Sequence, residues 1–296
     1  KGIDAPIISI DYGLAPEHPF PLAVEQSFYA YCWALKHAAE LGSTAESVIC
    51  VGDSAGGNLA GVVALRCLEE RVRPPSGVVM LYPALFLHDT PSPSRMISLM
   101  DPLLPLGTLQ MCMYTYASSF IEEHGPIMAA LHQNPGMPLS GVAPATRRRM
   151  HHLSPLVAPD HLLAAFPPCV IMASELDPLL DDSVMLARRM RGLKRSADVK
   201  LKVVPLLPHG WLNMYFVGDR TSLNASNEVI VLIKQMLANG SAEARMARGE
   251  GRERATSPEP NLEESDEDAP VVKDDPSPPP GMWFPGEGFS TPNPDA

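Results

Sequence analysis

The stretch that decides the fold is Gly52-Asp53-Ser54-Ala55-Gly56-Gly57. An apolar run at 48–52 precedes it and predicts a strand, and the apolar spacing at 57–70 predicts a helix. A serine at such a corner stands on a strained turn, and we expect Gly52 and Gly56 to omit side chains that would clash there. The pattern predicts Ser54 as an exposed nucleophile and the backbone N–H of Ala55 as a donor to an oxyanion.

A different class of serine enzyme has a similar segment. The Gly-Asp-Ser-Gly-Gly of trypsin-like proteases lacks the inserted alanine and belongs to an all-β fold, so the strand–turn–helix context disfavours it. A match of five residues also arises by chance. The assignment of Ser54 therefore depends on whether partners for it exist elsewhere in the chain.

Strands and helices alternate on both sides of this corner. Such alternation requires crossover connections and favours an α/β fold with a mainly parallel sheet flanked by helices. The predicted strands are 5–10, 48–52, 77–82, 168–174 and 199–204, and the predicted helices are 22–41, 57–70, 181–193 and 224–237.

Composition divides the chain into three parts. Residues 1–100 and 154–240 hold the predicted catalytic core. Residues 101–153 interrupt the alternation of strands and helices, and we expect an insertion there that is partly helical and partly loose. The Met-rich stretch 96–113 would either line an acyl pocket or pack in the core. Residues 241–296 carry most of the formal net charge of −11 and many of the 32 prolines. We therefore expect a disordered acidic tail.

Composition also excludes several classes of protein. The excess of 34 acidic over 23 basic residues argues against a nucleic-acid partner, which needs a basic face. No run approaches 18 apolar residues, so no transmembrane segment is expected. The cysteines stand singly, which favours free buried thiols over a disulfide framework or a metal site. They are Cys32, Cys50, Cys67, Cys112 and Cys169.

A serine hydroxyl needs a base to take its proton and an acid to orient that base. Asp177 follows the predicted strand at 168–174, and His209 follows the one at 199–204. In a parallel sheet these carboxyl ends lie at the same edge as Ser54. The order Ser–Asp–His along the chain is also the order found in one class of serine hydrolase. We therefore predict Ser54, Asp177 and His209 as the catalytic residues.

Other residues compete for these roles. Glu175 is an alternative acid, and so are Asp181 and Asp182, although both resemble caps at the start of a helix. Asp53 is disfavoured because a residue adjacent to the nucleophile points elsewhere. Six of the other histidines are predicted to lie in loops with no strand end behind them. They are His18, His88, His124, His132 and the pair His151-His152.

These motifs resemble the hormone-sensitive lipase family of α/β-hydrolases. The resemblance rests on residues 8–17, 52–59 and 177–189, and it extends to 94–106 and 154–160. It implies a cytoplasmic, lipid-droplet-associated hydrolase of acylglycerols, cholesteryl esters or other lipophilic esters, which needs no cofactor and no metal. The family's regulatory phosphorylation has only weak counterparts here, at Arg195-Ser196 and at 254–257.

The chain departs from the family at its start. The family carries His-Gly-Gly-Gly upstream of the segment that corresponds to 8–17, and its glycine N–H groups build most of the oxyanion hole. The 296 residues contain no such motif. We therefore expect the sheet to lack its first strands and the core to be incomplete at its N-terminus. The alternative hypothesis is a truncated or non-catalytic member that acts by binding a ligand or a protein.

Overall fold

The computed structural model of the chain describes residues 3–87, 92–101, 103–133, 141–193, 199–217 and 219–247. The strands in these ranges are β1 (Ile49–Asp53), β2 (Gly77–Leu81), β3 (Cys169–Leu176) and β4 (Val199–Pro208). The helices there are α1 (Leu22–Lys36), α2 (Ala55–Glu70), α3 (Pro93–Ile97), α4 (Leu106–Gln133), α5 (Pro144–Leu153), α6 (Asp160–Ala164), α7 (Leu180–Arg191) and α8 (Arg220–Ala247).

The four strands form one parallel sheet in the order β1-β2-β3-β4. Val78 and Met80 of β2 face one side of the sheet, while Val79 and Leu81 face the other, and all four are buried. A strand that is apolar on both faces is typical of a parallel sheet covered by helices. The predicted α/β architecture, a parallel sheet flanked by helices, is confirmed.

Helices cover both faces of this sheet. On one face α2, α6 and α7 contribute to a core that includes Ala64, Leu163 and Ala187. On the other face α8 packs against the strands through Ala225, Val229 and Ile233, and Trp211 is fully buried beside them. No helix within the described ranges is long and apolar enough to cross a membrane.

Two helices account for most of the described part of the segment at 101–153. Helix α4 runs to Gln133 and bends at His124, whose φ of −130° is not helical, just before Pro126. Together with α1 and α5, it packs against α2 in a second apolar cluster. That cluster includes Phe20, Leu59, Val62, Met113, Phe120 and Leu153. Helices α4 and α5 agree with the helical part of the predicted insertion, while residues 134–140 lie outside the described residues.

Two predicted elements differ at the ends of the chain. The apolar run at 5–10 belongs to no helix or strand, and Ile7 and Ile8 are exposed. Helix α8 continues to Ala247, past the predicted boundary at residue 240. Gly240 is buried there, and a Cβ on it would lie 2.4 Å from Ser47 Oγ, so this glycine allows close packing and does not end the helix. The rest of the predicted tail, 248–296, lies outside the described residues.

Candidate active site

Ser54 lies at a sharp corner between the last residue of β1 and the first residue of α2. Its φ of 53° is in the left-handed region, which non-glycine residues seldom adopt. The backbone N–H of Ser54 donates to the carbonyl oxygen of Leu81 at 2.9 Å and so fixes the corner to β2. This strained backbone is the conformation that the sequence predicts, and it presents the hydroxyl at the carboxyl end of the sheet.

The elbow (residues 52–57) needs glycine at two positions, one of which differs from the prediction. A Cβ on Gly52 would lie 2.0 Å from the backbone oxygen of Gly56, a distance that no adjustment of a side chain relieves. A Cβ on Gly56 would meet its nearest atom only at 4.0 Å, so the expectation of a clash there is wrong. The second tight position is Gly57, where a Cβ would lie 2.8 Å from Pro83.

Three predicted side chains meet at this edge of the sheet. His209 Nε2 lies 2.8 Å from Ser54 Oγ, and His209 Nδ1 lies 2.9 Å from Asp177 Oδ2. Asp177 follows β3 and His209 follows β4, so neighbouring strands of one sheet carry both. The other carboxylate oxygen of Asp177 accepts a hydrogen bond from the N–H of Leu179 at 2.8 Å, which holds the carboxylate in place.

The three groups differ in their access to solvent. Asp177 is 2% exposed, whereas Ser54 and His209 are partly exposed at the surface of the elbow. A buried carboxylate that accepts from Nδ1–H leaves Nε2 of the imidazole unprotonated and able to take the hydroxyl proton. The arrangement can therefore activate Ser54 toward an electrophile that approaches from solvent.

A family model with the alpha/beta hydrolase fold matches residues 1–147 and 139–213. The chain belongs to this family. The predicted resemblance is also confirmed, since this α/β-hydrolase is 33% identical to human hormone-sensitive lipase over 72% of the chain and 33% of the relative. The carboxylic ester hydrolase LipN of Mycobacterium tuberculosis is 31% identical over 80% of the chain and 57% of the relative.

The α/β-hydrolase covers between a third and about half of each hormone-sensitive lipase it matches. Among solved structures, an esterase of Pyrobaculum calidifontis superposes with a TM-score of 0.61 at 26% identity, over 76% of this chain and 64% of that one. Carboxyl esterase 2 of Tuber melanosporum superposes with a TM-score of 0.62 over 77% and 66%, and at 23% identity it shows a shared fold alone.

In this α/β-hydrolase the competing acids contact other groups. Glu175 accepts from the backbone N–H of Leu206 at 2.8 Å, and Asp53 accepts from the hydroxyl of Tyr82 at 3.2 Å. Asp181 and Asp182 lie in the first turn of α7, where Leu179 holds the N-cap position, so the expectation that they cap the helix is wrong. Asp182 pairs instead with buried Arg95, at 3.0 Å.

The expectation that the remaining histidines lie in loops is wrong for several of them. His124 and His132 belong to α4, and His151 and His152 are buried in α5. His18 does lie outside the helices and strands, and His88 lies outside the described residues.

The predicted donor to an oxyanion, the N–H of Ala55, lies at the N-terminus of α2. Ala55 is the first residue of the helix, so its N–H has no acceptor one turn earlier and is directed out of the helix end. The first turn of α2 contains no acidic residue of its own, and the partial positive charge of a helix N-terminus favours an anion there.

Sequence reasoning missed Tyr82, which follows β2 and is 1% exposed. Its ring packs against the rings of both His209 and Trp211, with centroids 4.9 and 5.6 Å away. Burial raises the pKa of Tyr82, and the neighbouring carboxylate of Asp53 raises it further, so the phenol remains a hydrogen-bond donor. The only sequence signal for Tyr82 was its position at the end of the predicted strand 77–82, and many residues without a role in a site share such a position.

Proposed function

We propose that this chain is a serine ester hydrolase in which Ser54 attacks the carbonyl carbon of a carboxylic ester. His209 Nε2 takes the hydroxyl proton as the bond from Ser54 Oγ to carbon forms, and Asp177 stabilises the resulting imidazolium. The protonated imidazole then gives its proton to the leaving alcohol, and an acyl-enzyme remains on Ser54. The observation that supports this proposal is the continuous hydrogen-bonded series from Ser54 through His209 to Asp177.

The second half of the reaction uses the same groups in reverse. His209 takes a proton from water, the hydroxide oxygen bonds to the acyl carbon, and the carboxylic acid leaves as the proton returns to Ser54. During both attacks the carbonyl oxygen carries negative charge, and the N–H of Ala55 donates to it.

We infer lipophilic carboxylic esters as the substrate class, with acylglycerols and cholesteryl esters as the first candidates. The support is the similarity to proteins named hormone-sensitive lipase. Large apolar side chains near α3 are also exposed, including Ile97 at 82%. A role in lipid catabolism at the surface of lipid droplets in the cytoplasm is part of the same proposal.

The nucleophile is tested with a fluorophosphonate probe, which forms a covalent bond to an activated serine. We expect labelling of the native chain and its complete loss in Ser54→Ala. The base is tested with His209→Gln against His161→Gln, which changes an exposed histidine of α6. Only the first of these should abolish labelling, since His161 lies outside the hydrogen-bonded series.

The orienting acid has a matched control among the competing carboxylates. Asp177→Asn should lower kcat for a p-nitrophenyl ester by about 10³–10⁴-fold, because the amide no longer fixes the imidazole with Nε2 as the acceptor. Glu175→Gln should change kcat by less than about threefold, since Glu175 accepts from a backbone N–H outside the triad. Equal losses in the two variants would contradict the assignment.

The substrate class is tested with esters of increasing acyl length and with emulsified acylglycerol and cholesteryl ester. A preference for the long-chain esters supports the proposal, whereas hydrolysis restricted to short acyl chains contradicts the lipid assignment. A folded chain, shown by its circular dichroism, that neither reacts with the probe nor hydrolyses any ester would contradict the enzyme assignment. That result would support the binding function instead.

A further inference from the structure

A second cluster of ionisable side chains lies far from Ser54. Glu69 is fifteen positions later on α2, roughly 22 Å along the helix axis. It faces His151 and His152 on α5. His151 Nε2 is 2.8 Å from one carboxylate oxygen of Glu69, and His152 Nε2 is 2.6 Å from the other. One nitrogen of each ring and one oxygen of Glu69 all lie within 4.8 Å of one another.

The cluster is built from two packed helices. The rings of His151 and His152 meet edge to face, with centroids 4.9 Å apart and an interplanar angle of 86°. This arrangement directs Nε2 of both rings toward the same carboxylate, although adjacent residues of a helix ordinarily point in different directions. Both histidines are buried, whereas the side chain of Glu69 is 14% exposed. Solvent therefore reaches the cluster from the side of the carboxylate.

The charges around the cluster favour a cation. Two guanidinium groups are nearby, and each has another carboxylate as its partner. Arg66 lies 2.6 Å from Glu25, and Arg148 donates to Glu70, while its contact with Glu69 is longer, at 3.4 Å. Three carboxylates therefore stand against two guanidinium groups, which leaves one negative charge for the two imidazoles to share.

We propose that Glu69, His151 and His152 bind a zinc ion that fastens α5 to α2. Two imidazole nitrogens and one carboxylate oxygen are ligands that Zn²⁺ prefers, at about 2.0–2.2 Å, and water completes a tetrahedral set from the exposed side. In that geometry neighbouring ligand atoms are roughly 3.3 Å apart. Each imidazole nitrogen now lies 2.6 or 2.8 Å from an oxygen of Glu69, and the three ligand atoms already lie within 4.8 Å of one another, so shifts of ångström size bring them to the spacing of a zinc site. Each imidazole then carries its proton on Nδ1, and no net proton is released from a neutral ring.

A simple alternative is that the two histidines only donate hydrogen bonds to Glu69. That reading also joins α5 to α2, but it predicts no affinity for metal. Metal titrations distinguish the two hypotheses. The chain is first freed of metal with a chelator. It is then titrated with Zn²⁺ by calorimetry and with Co²⁺ by absorption spectroscopy. Zinc binding should give one site per chain, and Co²⁺ should give the visible absorption of a tetrahedral site without thiolate ligands.

Substitutions then locate the site. The double variant His151→Ala/His152→Ala should lose the cobalt spectrum and weaken zinc binding by at least about tenfold. Glu69→Gln keeps the shape of the side chain and should weaken binding by a similar factor. The control is His37→Ala, which removes a partly exposed histidine that lies 2.8 Å from a single carboxylate, that of Glu40. This variant should bind zinc as the native chain does.

A stability measurement provides an independent readout. Zinc should raise the Tm of the native chain and of His37→Ala, because the ion binds the folded state. It should raise the Tm of Glu69→Gln by less at the same zinc concentration, and this comparison remains informative if the double variant does not fold. Absence of zinc binding by the native chain, or equal affinity in the native chain and Glu69→Gln, would overturn the proposal. None of these measurements depends on ester hydrolysis, so their outcome is independent of the proposed enzymatic function.

Discussion

The imidazole of His209 packs edge-on against the ring of Tyr82, with ring centroids 4.9 Å apart and planes inclined by 66°. The hydroxyl of the same tyrosine donates to Asp53, the residue before Ser54. Tyr82 therefore contacts the histidine with its ring and the elbow with its oxygen. These two contacts hold the histidine on the side from which it reaches Ser54.

The first prediction separates these contacts. Tyr82→Leu removes the ring, and we expect kcat to fall by about 2–13-fold with a smaller change in KM, because the imidazole loses an edge-to-face contact worth ~0.5–1.5 kcal/mol. Tyr82→Phe removes only the hydroxyl and should retain most of kcat. Steady-state kinetics with a p-nitrophenyl ester measure both.

A tyrosine elsewhere controls for loss of stability. The hydroxyl of Tyr31 donates to the carbonyl of Arg73 at 2.8 Å, and its ring is buried in a cluster apart from the site. Tyr31→Leu should lower the Tm without a specific loss of kcat in the folded fraction. If Tyr31→Leu and Tyr82→Leu reduce kcat equally, Tyr82 has no positioning role.

The second prediction concerns the glycines of the elbow. Gly52→Ala forces a Cβ to within 2.0 Å of a backbone oxygen, so the corner must change shape and probe labelling of Ser54 should be lost. Gly56→Ala has space around it and lies in a helix, where alanine is favoured by about 0.5–1 kcal/mol. It should label normally and unfold at an equal or higher urea concentration. Retention of full labelling by Gly52→Ala would contradict the steric argument.

The elements nearest the site are those that the sequence predicts best. Ser54, Asp177 and His209 each follow an apolar run of strand length, and strands in one parallel sheet end at a common edge. The contacts at 2.8 and 2.9 Å agree with that reasoning, while the catalytic roles of the three residues remain a proposal. The spacing of apolar residues was sufficient to predict where these three residues lie, because the local sequence pattern and the overall fold favour the same arrangement.

Features that depend on tertiary packing could not be predicted. Arg95 and Asp182 are 87 positions apart, and nothing in either local sequence indicates a pair. Gly240 resembles a helix terminator, yet α8 continues because the glycine allows it to pass close to Ser47. The run at 5–10 has the composition of a strand, but a strand forms only where another one pairs with it.

The third prediction concerns the five cysteine thiols, for which the sequence predicts burial. Cys112 of α4 is exposed, whereas Cys32, Cys67 and Cys169 are buried and Cys50 is partly buried. Burial raises the pKa of Cys50 to about 12, so it is protonated at neutral pH. Because the thiolate is the reactive form, one equivalent of iodoacetamide should react quickly, at Cys112, as peptide mass spectrometry would show.

The control for this labelling is Cys112→Ser, which should eliminate the fast phase and leave the slow reaction of the other thiols unchanged. Addition of urea should make all five thiols react at similar rates. A fast phase that persists in Cys112→Ser would show that a thiol described as buried becomes exposed in the folded chain.

The last prediction concerns the ion pair between Arg95 and Asp182, both about 1% exposed. Burial raises the pKa of Asp182 from 3.8 to about 7, against the lowering effect of Arg95. In Arg95→Met the opposing charge is gone, and we expect a loss of about 3–5 kcal/mol in the free energy of unfolding near neutral pH.

The sign of the pH dependence follows from proton counting. The folded Arg95→Met protein keeps a proton on Asp182 at pH values where the unfolded chain has released it, so its stability falls as the pH rises from about 5 to 8. Urea unfolding should therefore show a smaller defect at the acidic end of this range. The double variant Arg95→Met/Asp182→Leu removes the titrating group and should recover much of the stability, with no such dependence on pH. A defect in Arg95→Met that is the same at pH 5 and pH 8 would contradict a buried carboxylate as its cause.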